Sequence, residues 1–232
     1  MTSLLAIDTG QAACSVALWR DGAVVAHRLS PMPKGHAEAL VPMIEEVQAE
    51  TAFAFEDLDA FAVTVGPGTF TGLRVGLATA RGLAVAAGRP LIGVTTLEAI
   101  AWPVRQEAKD GAAIVAAFDA RRNEAYLQCF AADGAGITEP ALVSLDDLAA
   151  HVPDQTLLCV GTGAELVRDR LASHAHDIGL ASAAALPDAR MVAEIAAGRP
   201  ADPDGLPGPL YLRAPDAKLP AKPLAAPASG LS

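Results

Sequence analysis

The sequence predicts an α/β protein built as two related lobes, the second of them reduced. Three observations carry that expectation. Short apolar segments that read as strands alternate with segments whose apolar residues recur at helical spacing. The interval from Asp8, where one apolar strand ends, to Trp19, where the next ends, equals the interval from Asp119 to Phe130. A strand running into a glycine turn and then a helix also occurs in both halves, at Val65-Gly-Pro-Gly68 and at Val160-Gly-Thr-Gly163.

The elements follow in order. A first apolar strand ends at Asp8, Cys14–Trp19 is a second, and Asp21-Gly22 suits a hairpin turn into a third. Gly35–Gln48 reads as a helix with Ala37, Leu40, Val41, Ile44 and Val47 along one face. Leu58–Val65 reads as a strand stopped by Gly66, Pro67 and Gly68. Thr69 or Thr71 can cap the helix over Gly72–Ala87, Leu91–Val94 is a strand, and Thr95 or Thr96 opens a helix to Arg105. The second half predicts strands over Ala112–Phe118, Glu124–Phe130 and Leu157–Val160. It also predicts helices over Leu145–His151, Ala164–Ala172 and Ala189–Ala197. Gly198–Pro209 is a proline- and glycine-rich loop, and the Ala/Pro-rich residues 214–232 read as a disordered tail. The expected lobes are residues 1–108 and 109–213. A three-stranded meander followed by alternating helices and strands, used twice, is the actin/Hsp70/sugar-kinase plan.

Composition excludes several function classes. The chain has 232 residues and a formal charge of −10, so it repels a phosphate backbone, and a self-sufficient nucleic-acid binder is not expected. It is 52% hydrophobic but only 4% aromatic, which calls for an aliphatic core. No apolar run reaches the roughly 20 residues of a membrane span. Cys14, Cys129 and Cys159 form no C-x-x-C pair and read as free buried thiols in a reducing cytoplasm.

The stretch Gly66-Pro-Gly-Thr-Phe-Thr-Gly-Leu-Arg-Val-Gly76 resembles the hallmark of the TsaB (YeaZ) family. Leu4-Leu-Ala-Ile-Asp-Thr9, His36-Ala-Glu-Ala-Leu-Val-Pro42 and Pro209-Leu-Tyr-Leu-Arg213 agree with it, closely over the first hundred residues and coarsely afterwards. The resemblance implies an actin-like subunit of the bacterial machinery that makes threonylcarbamoyladenosine in tRNA. It implies a non-catalytic role: pairing with a TsaD-type catalytic subunit through first-lobe helices, self-pairing when alone, a TsaE-type ATPase in the same assembly, and only indirect contact with tRNA.

Little in the sequence points to chemistry. Asp8, Thr9 and Gly10 supply a carboxylate, a hydroxyl and a flexible turn where an actin-like lobe faces a nucleotide. A small ATP- or ADP-binding ATPase or kinase acting through Asp8 is therefore the alternative reading. The second lobe offers Asp119-Ala-Arg-Arg122 instead of a glycine, although arginine can itself bind phosphate. The turn at Gly66 is not a phosphate loop, since Leu73 and Arg74 follow Gly72 where lysine and Ser/Thr are required. By resemblance, the TsaD family holds its metal with two histidines one helical turn apart. Here the residue four after His36 is Leu40 and the one four before is Met32. His174 and His176 are spaced poorly for a helical pair, and no nucleophile motif occurs.

What remains is surface. Gly72, Gly76, Ala80, Ala84 and Gly88 recur every fourth residue and share one helix face. Interior glycines cost roughly 1 kcal/mol each against alanine, which is worthwhile where another backbone comes close. That backbone is either the chain's own sheet or a partner helix. The partner reading assigns His36, Leu40, Ile44, Val47, Gly72, Leu73, Gly76, Ala80 and Leu83 to the interface, with Gly66, Pro67 and Gly68 as a structural turn. On that reading Gly76→Leu would block pairing.

Overall fold

The computed structural model describes residues 3–109, 111–172, 177–202 and 205–213. The expected tail and the His174/His176 pair therefore lie outside the described residues.

Strand β1 (Ser3–Asp8) pairs antiparallel with β2 (Ala13–Arg20), which pairs with β3 (Ala23–Pro31) across the Asp21-Gly22 turn. Both turn residues have positive φ, which Asp and Gly tolerate best. On the other side β1 pairs parallel with β4 (Ala60–Gly66), and β4 with β5 (Leu91–Thr95), so the order is β3-β2-β1-β4-β5. The second sheet repeats this plan. β6 (Ala113–Arg121) pairs antiparallel with β7 (Glu124–Ala131) and β7 with β8 (Ala141–Ser144). β6 also pairs parallel with β9 (Leu157–Val160), which pairs with β10 (Ile178–Leu180). Read from β8, the order is again third, second, first, fourth, fifth. Two sheets with one strand order are the duplication that the repeated interval predicts.

Side-chain alternation explains the layers. On β1, Leu5 and Ile7 point into one cluster with Leu40, Ile44, Val47 and Leu77, while Leu4 and Ala6 point into another with Val192, Ala193 and Ile195. The first cluster is covered by helices α1 (His36–Thr51) and α2 (Phe70–Ala87), the second by α3 (Thr96–Ala101) and α5 (Ala189–Ala197). Helix α3 also reaches the second sheet, because Leu97 and Ile100 pack with Ile114, Ala116 and Phe118 of β6. Helix α4 (Ala164–Leu171) lies on the far face of that sheet with Val115, Ala117 and Leu127. Helix α5 follows the second sheet in sequence yet covers the first, so chain order and lobe membership part at the last helix.

The second lobe keeps all five strands and is reduced in its helices. Leu145–His151, predicted helical, forms only a 3₁₀ turn over Leu148–Ala150. Leu145 instead donates its N–H to Asn123 O and Asp146 donates its N–H to Ser144 Oγ, so short polar side chains pull this stretch into a turn. β8 and β10 escape a periodicity reading because they are four and three residues long. The predicted helix to Arg105 stays α-helical only to Ala101 and continues as a 3₁₀ turn through Pro103. Its N-terminus is a capping box, with Thr95 accepting from the Glu98 N–H and Glu98 accepting from the Thr95 N–H.

Candidate functional site

The first-strand carboxylate and the glycine turn meet at one place. Asp8 ends β1 and is fully buried. Its Oδ1 accepts from Thr64 Oγ1 at 2.6 Å and from the Gly10 N–H at 3.1 Å, and its Oδ2 is buried without a partner. Burial pushes its pKa up to about 6, against the lowering effect of those two hydrogen bonds. The chain closes over it. Thr69 donates its N–H to Gly10 O at 2.8 Å, and a Cβ on Gly68 would collide with that same oxygen. Pro67 O accepts from Gln11 Nε2 at 3.3 Å and from the Thr96 hydroxyl.

As they stand, these residues do not fit a nucleotide or its metal. Asp8, Thr9 and Gly10 are neighbours in sequence and lie buried under the Gly66–Thr69 turn. In the second lobe the matching glycine turn sits on its strand in the same way, with Gly163 N–H donating to Ala117 O at 3.0 Å. There Arg121, Arg122 and Asn123 are consecutive left-handed residues (φ 61°, 58° and 62°), and Arg121 pairs with Asp119 at 3.1 Å.

The stripe of small residues points inward. Gly72 faces the Thr9 carbonyl and Gly76 faces Thr9 Oγ1, and at either position a Cβ would collide. Thr9 Oγ1 donates to Gly72 O at 2.7 Å across this contact. Leu40, Ile44, Val47, Leu73 and Ala80 are buried in the chain's own core, and Leu83 is half-buried against it. His36 starts α1, is buried, and its Nε2 lies 2.9 Å from Gln11 O, which ties the helix start to the Asp8 turn. The assignment of this stripe to a partner is therefore corrected: its close neighbour is the first strand. Gly76→Leu would damage the fold before it could report on an interface.

The exposed row of α2 is a different one. Phe70, Arg74, Ala78, Gly82 and Ala86 follow each other at four-residue spacing and are exposed, with Val85 at 69% beside them. Gly82 has no heavy atom within 4 Å of where a Cβ would be, so nothing inside the chain requires a glycine there. Val41 of the neighbouring α1 is 50% exposed. These residues fell outside the sequence-based set because four-residue spacing defines several helix faces at once, and spacing alone does not say which one the sheet takes.

The cysteines are free and buried, and burial pushes Cys14, Cys129 and Cys159 up to about 11, 11 and 12. At neutral pH they are protonated and unreactive. Among the described residues no group of three or more side chains suits a metal, and no helix is long and apolar enough to cross a membrane.

Known proteins place this arrangement. The family model for tRNA N6-adenosine threonylcarbamoyltransferase (TsaD) matches residues 30–193, well over half of the chain. The tRNA threonylcarbamoyladenosine biosynthesis protein TsaB of Escherichia coli is 42% identical over 135 residues, which are 58% of this chain and 57% of that protein. TsaB of Haemophilus influenzae is 41% identical over 124 residues, 53% and 52% of the two chains. The chain thus spans about half the length of these curated relatives. The structure of YeaZ from Pseudomonas aeruginosa superposes with a TM-score of 0.77 at 30% identity, over 91% of this chain and 100% of that one.

Proposed function

The chain belongs to the TsaB (YeaZ) family, and from that premise we propose that it is a non-catalytic scaffold subunit in the biosynthesis of tRNA N6-threonylcarbamoyladenosine. Its partner is a TsaD-type catalytic subunit, a TsaE-type ATPase joins the same assembly, and the chain pairs with itself when alone. The family model that matches most of the chain bears the transferase's own name, which supports a shared fold plan between the two subunits. The single observation that carries the pairing is the outer face of α2. Ala78, Gly82 and Ala86 leave a smooth, small-sided track in solvent, and Gly82 has no internal reason to be glycine. Val41 and Val85 flank that track with exposed apolar area. Two such helices can approach each other closely.

A non-catalytic role is supported by the burial of Asp8 under its own turn and by the protonated thiols. The net charge of −10 supports leaving most tRNA contact to another subunit. Size measurement by light scattering, with and without a TsaD-type protein, tests the pairing: self-paired chains should exchange into a heteromer, and Gly82→Leu should lose both. Normal pairing by that variant would refute the face. Calorimetry with ATP and Mg²⁺ tests the rival reading. No binding is expected, and micromolar binding abolished by Asp8→Ala would establish an actin-like nucleotide site instead.

A further inference from the structure

The Pro209–Arg213 motif is used by nothing described so far, yet this irregular stretch is tethered at several points to both lobes. The described segment 205–213 contains neither helix nor strand. Arg81 Nη2 donates to Pro207 O at 2.6 Å, and the Pro207 ring lies where Gly93 has no side chain. Leu210 donates its N–H to Val65 O at 2.7 Å, and its carbonyl oxygen sits 2.8 Å from where a Cβ on Gly66 would be. Tyr211 stacks on Phe70 at 5.6 Å and 28°, and its hydroxyl accepts from Arg74 Nε at 3.1 Å. The Arg74 guanidinium itself lies 3.6 Å over the Phe70 ring. Two residues later the chain reaches the other lobe. Arg213 Nη1 donates to Ala120 O at 2.9 Å, Nη2 pairs with Glu124, and the guanidinium lies 5.9 Å over the Tyr126 ring.

One end of the motif therefore holds the exposed start of α2, and the other holds the β6–β7 hairpin. We propose that Pro209–Arg213 is a strap that couples the outer face of α2 to the second lobe. Phe70 and Arg74 head the exposed row of α2, so any molecule seated on that row meets the two side chains that hold Tyr211. Displacing Tyr211 pulls on Arg213, whose planar fork must keep both the Ala120 carbonyl and the Glu124 carboxylate. The hairpin it grips carries three consecutive left-handed non-glycine residues, a conformation that depends on outside support. The link runs both ways, as any coupling between two sites must. That a protein partner occupies the face rests on the pairing reading; the coupling itself belongs to the free chain.

Hydrogen exchange followed by mass spectrometry on the full chain alone tests it. Tyr211→Ala touches only the first lobe, yet it should speed exchange about fivefold or more at residues 119–126 as well as at 205–213. Arg213→Ala, which touches only the second lobe, should do the same at the first turn of α2. Arg168→Ala on α4, away from the strap, should leave all three regions unchanged. Tyr211→Phe, which keeps the ring but removes the acceptor for Arg74, should give a smaller effect of the same pattern, and it decides the matter if the alanine variant loosens the whole fold. Changes confined to the lobe that carries the substitution would overturn the strap. Coupled exchange together with normal pairing by Gly82→Leu would leave the strap standing and remove the pairing reading.

Discussion

Glycines of one helix carry opposite meanings. Gly72 and Gly76 face Thr9, so an added methyl must push backbone or a buried hydroxyl. Gly72→Ala should therefore lose about 2 kcal/mol in chemical denaturation. Gly82 faces open solvent, and Gly82→Ala should gain roughly 0.5–1 kcal/mol, the ordinary helix preference of alanine. Equal effects at the two sites would remove the distinction between inner and outer faces. Asp8 adds a pH signature. Its pKa is about 6 in the folded chain against 3.8 for a free carboxyl. The folded state therefore binds the proton more tightly, and this group's contribution falls as pH rises from about 4 to about 6. Asp8→Asn keeps an oxygen to accept from Thr64 and Gly10 but carries no charge. It should stabilise the chain by about 3 kcal/mol at pH 7, the worth of a shift of about two units, and by almost nothing near pH 4. A stabilisation that does not change with pH would show that the buried charge is not its source. Asp188 works in the opposite sense. Burial pushes its carboxyl up, but hydrogen bonds from His27 and Arg190 outweigh this and hold it well below the usual range. Its contribution is therefore full above the free value of 3.8 and is lost progressively as pH falls below it.

Helix α2 has two faces, both with small residues at four-residue spacing, and only the folded chain tells them apart. The inner row lets α2 settle on β1, with Thr69 accepting from the Gly72 N–H to start it. The outer row stays open. Val85→Glu, placed at the most exposed apolar residue of that face, should abolish self-pairing with little change in melting temperature; a monomeric variant that also melts much earlier would assign Val85 to the fold. Legibility in the sequence followed the same line. Strands and helices long enough to show a period were readable, and each cap was narrowed to two threonines, of which the fold uses Thr69 and Thr95. The missed pieces, β8, β10 and the broken helix after Ser144, are short and held by contacts distant in sequence. The strap was visible only as the motif Pro209–Arg213. Its partners Val65, Phe70, Arg74, Ala120 and Glu124 lie 89 residues or more away, and no local pattern joins them.

At the scale of the molecule, two sheets of one strand order are joined by α3, and α5 returns from the second half to cover the first sheet. This return explains why a division by sequence position describes the sheets but not the helices. The duplication was legible because both halves reuse the strand interval and the glycine turn. The seating of both glycine turns on their first strands was not, because it depends on carbonyl positions such as Gly10 O and Ala117 O that no side chain announces. The net charge of −10 leads to a further expectation: alone, the chain should retain no tRNA in a mobility-shift assay near physiological salt, and specific retention would assign it a direct contact. The hallmark glycines Gly66, Gly68, Gly72 and Gly76 thus build the first lobe from within, and the partner face we propose lies on the other side of the same helix. Light scattering on the chain mixed with a TsaD-type subunit decides between these two placements. The folded Gly82→Leu variant should run as separate monomers where the wild type forms a heteromer, and a Gly82→Leu chain that still forms it would contradict the account.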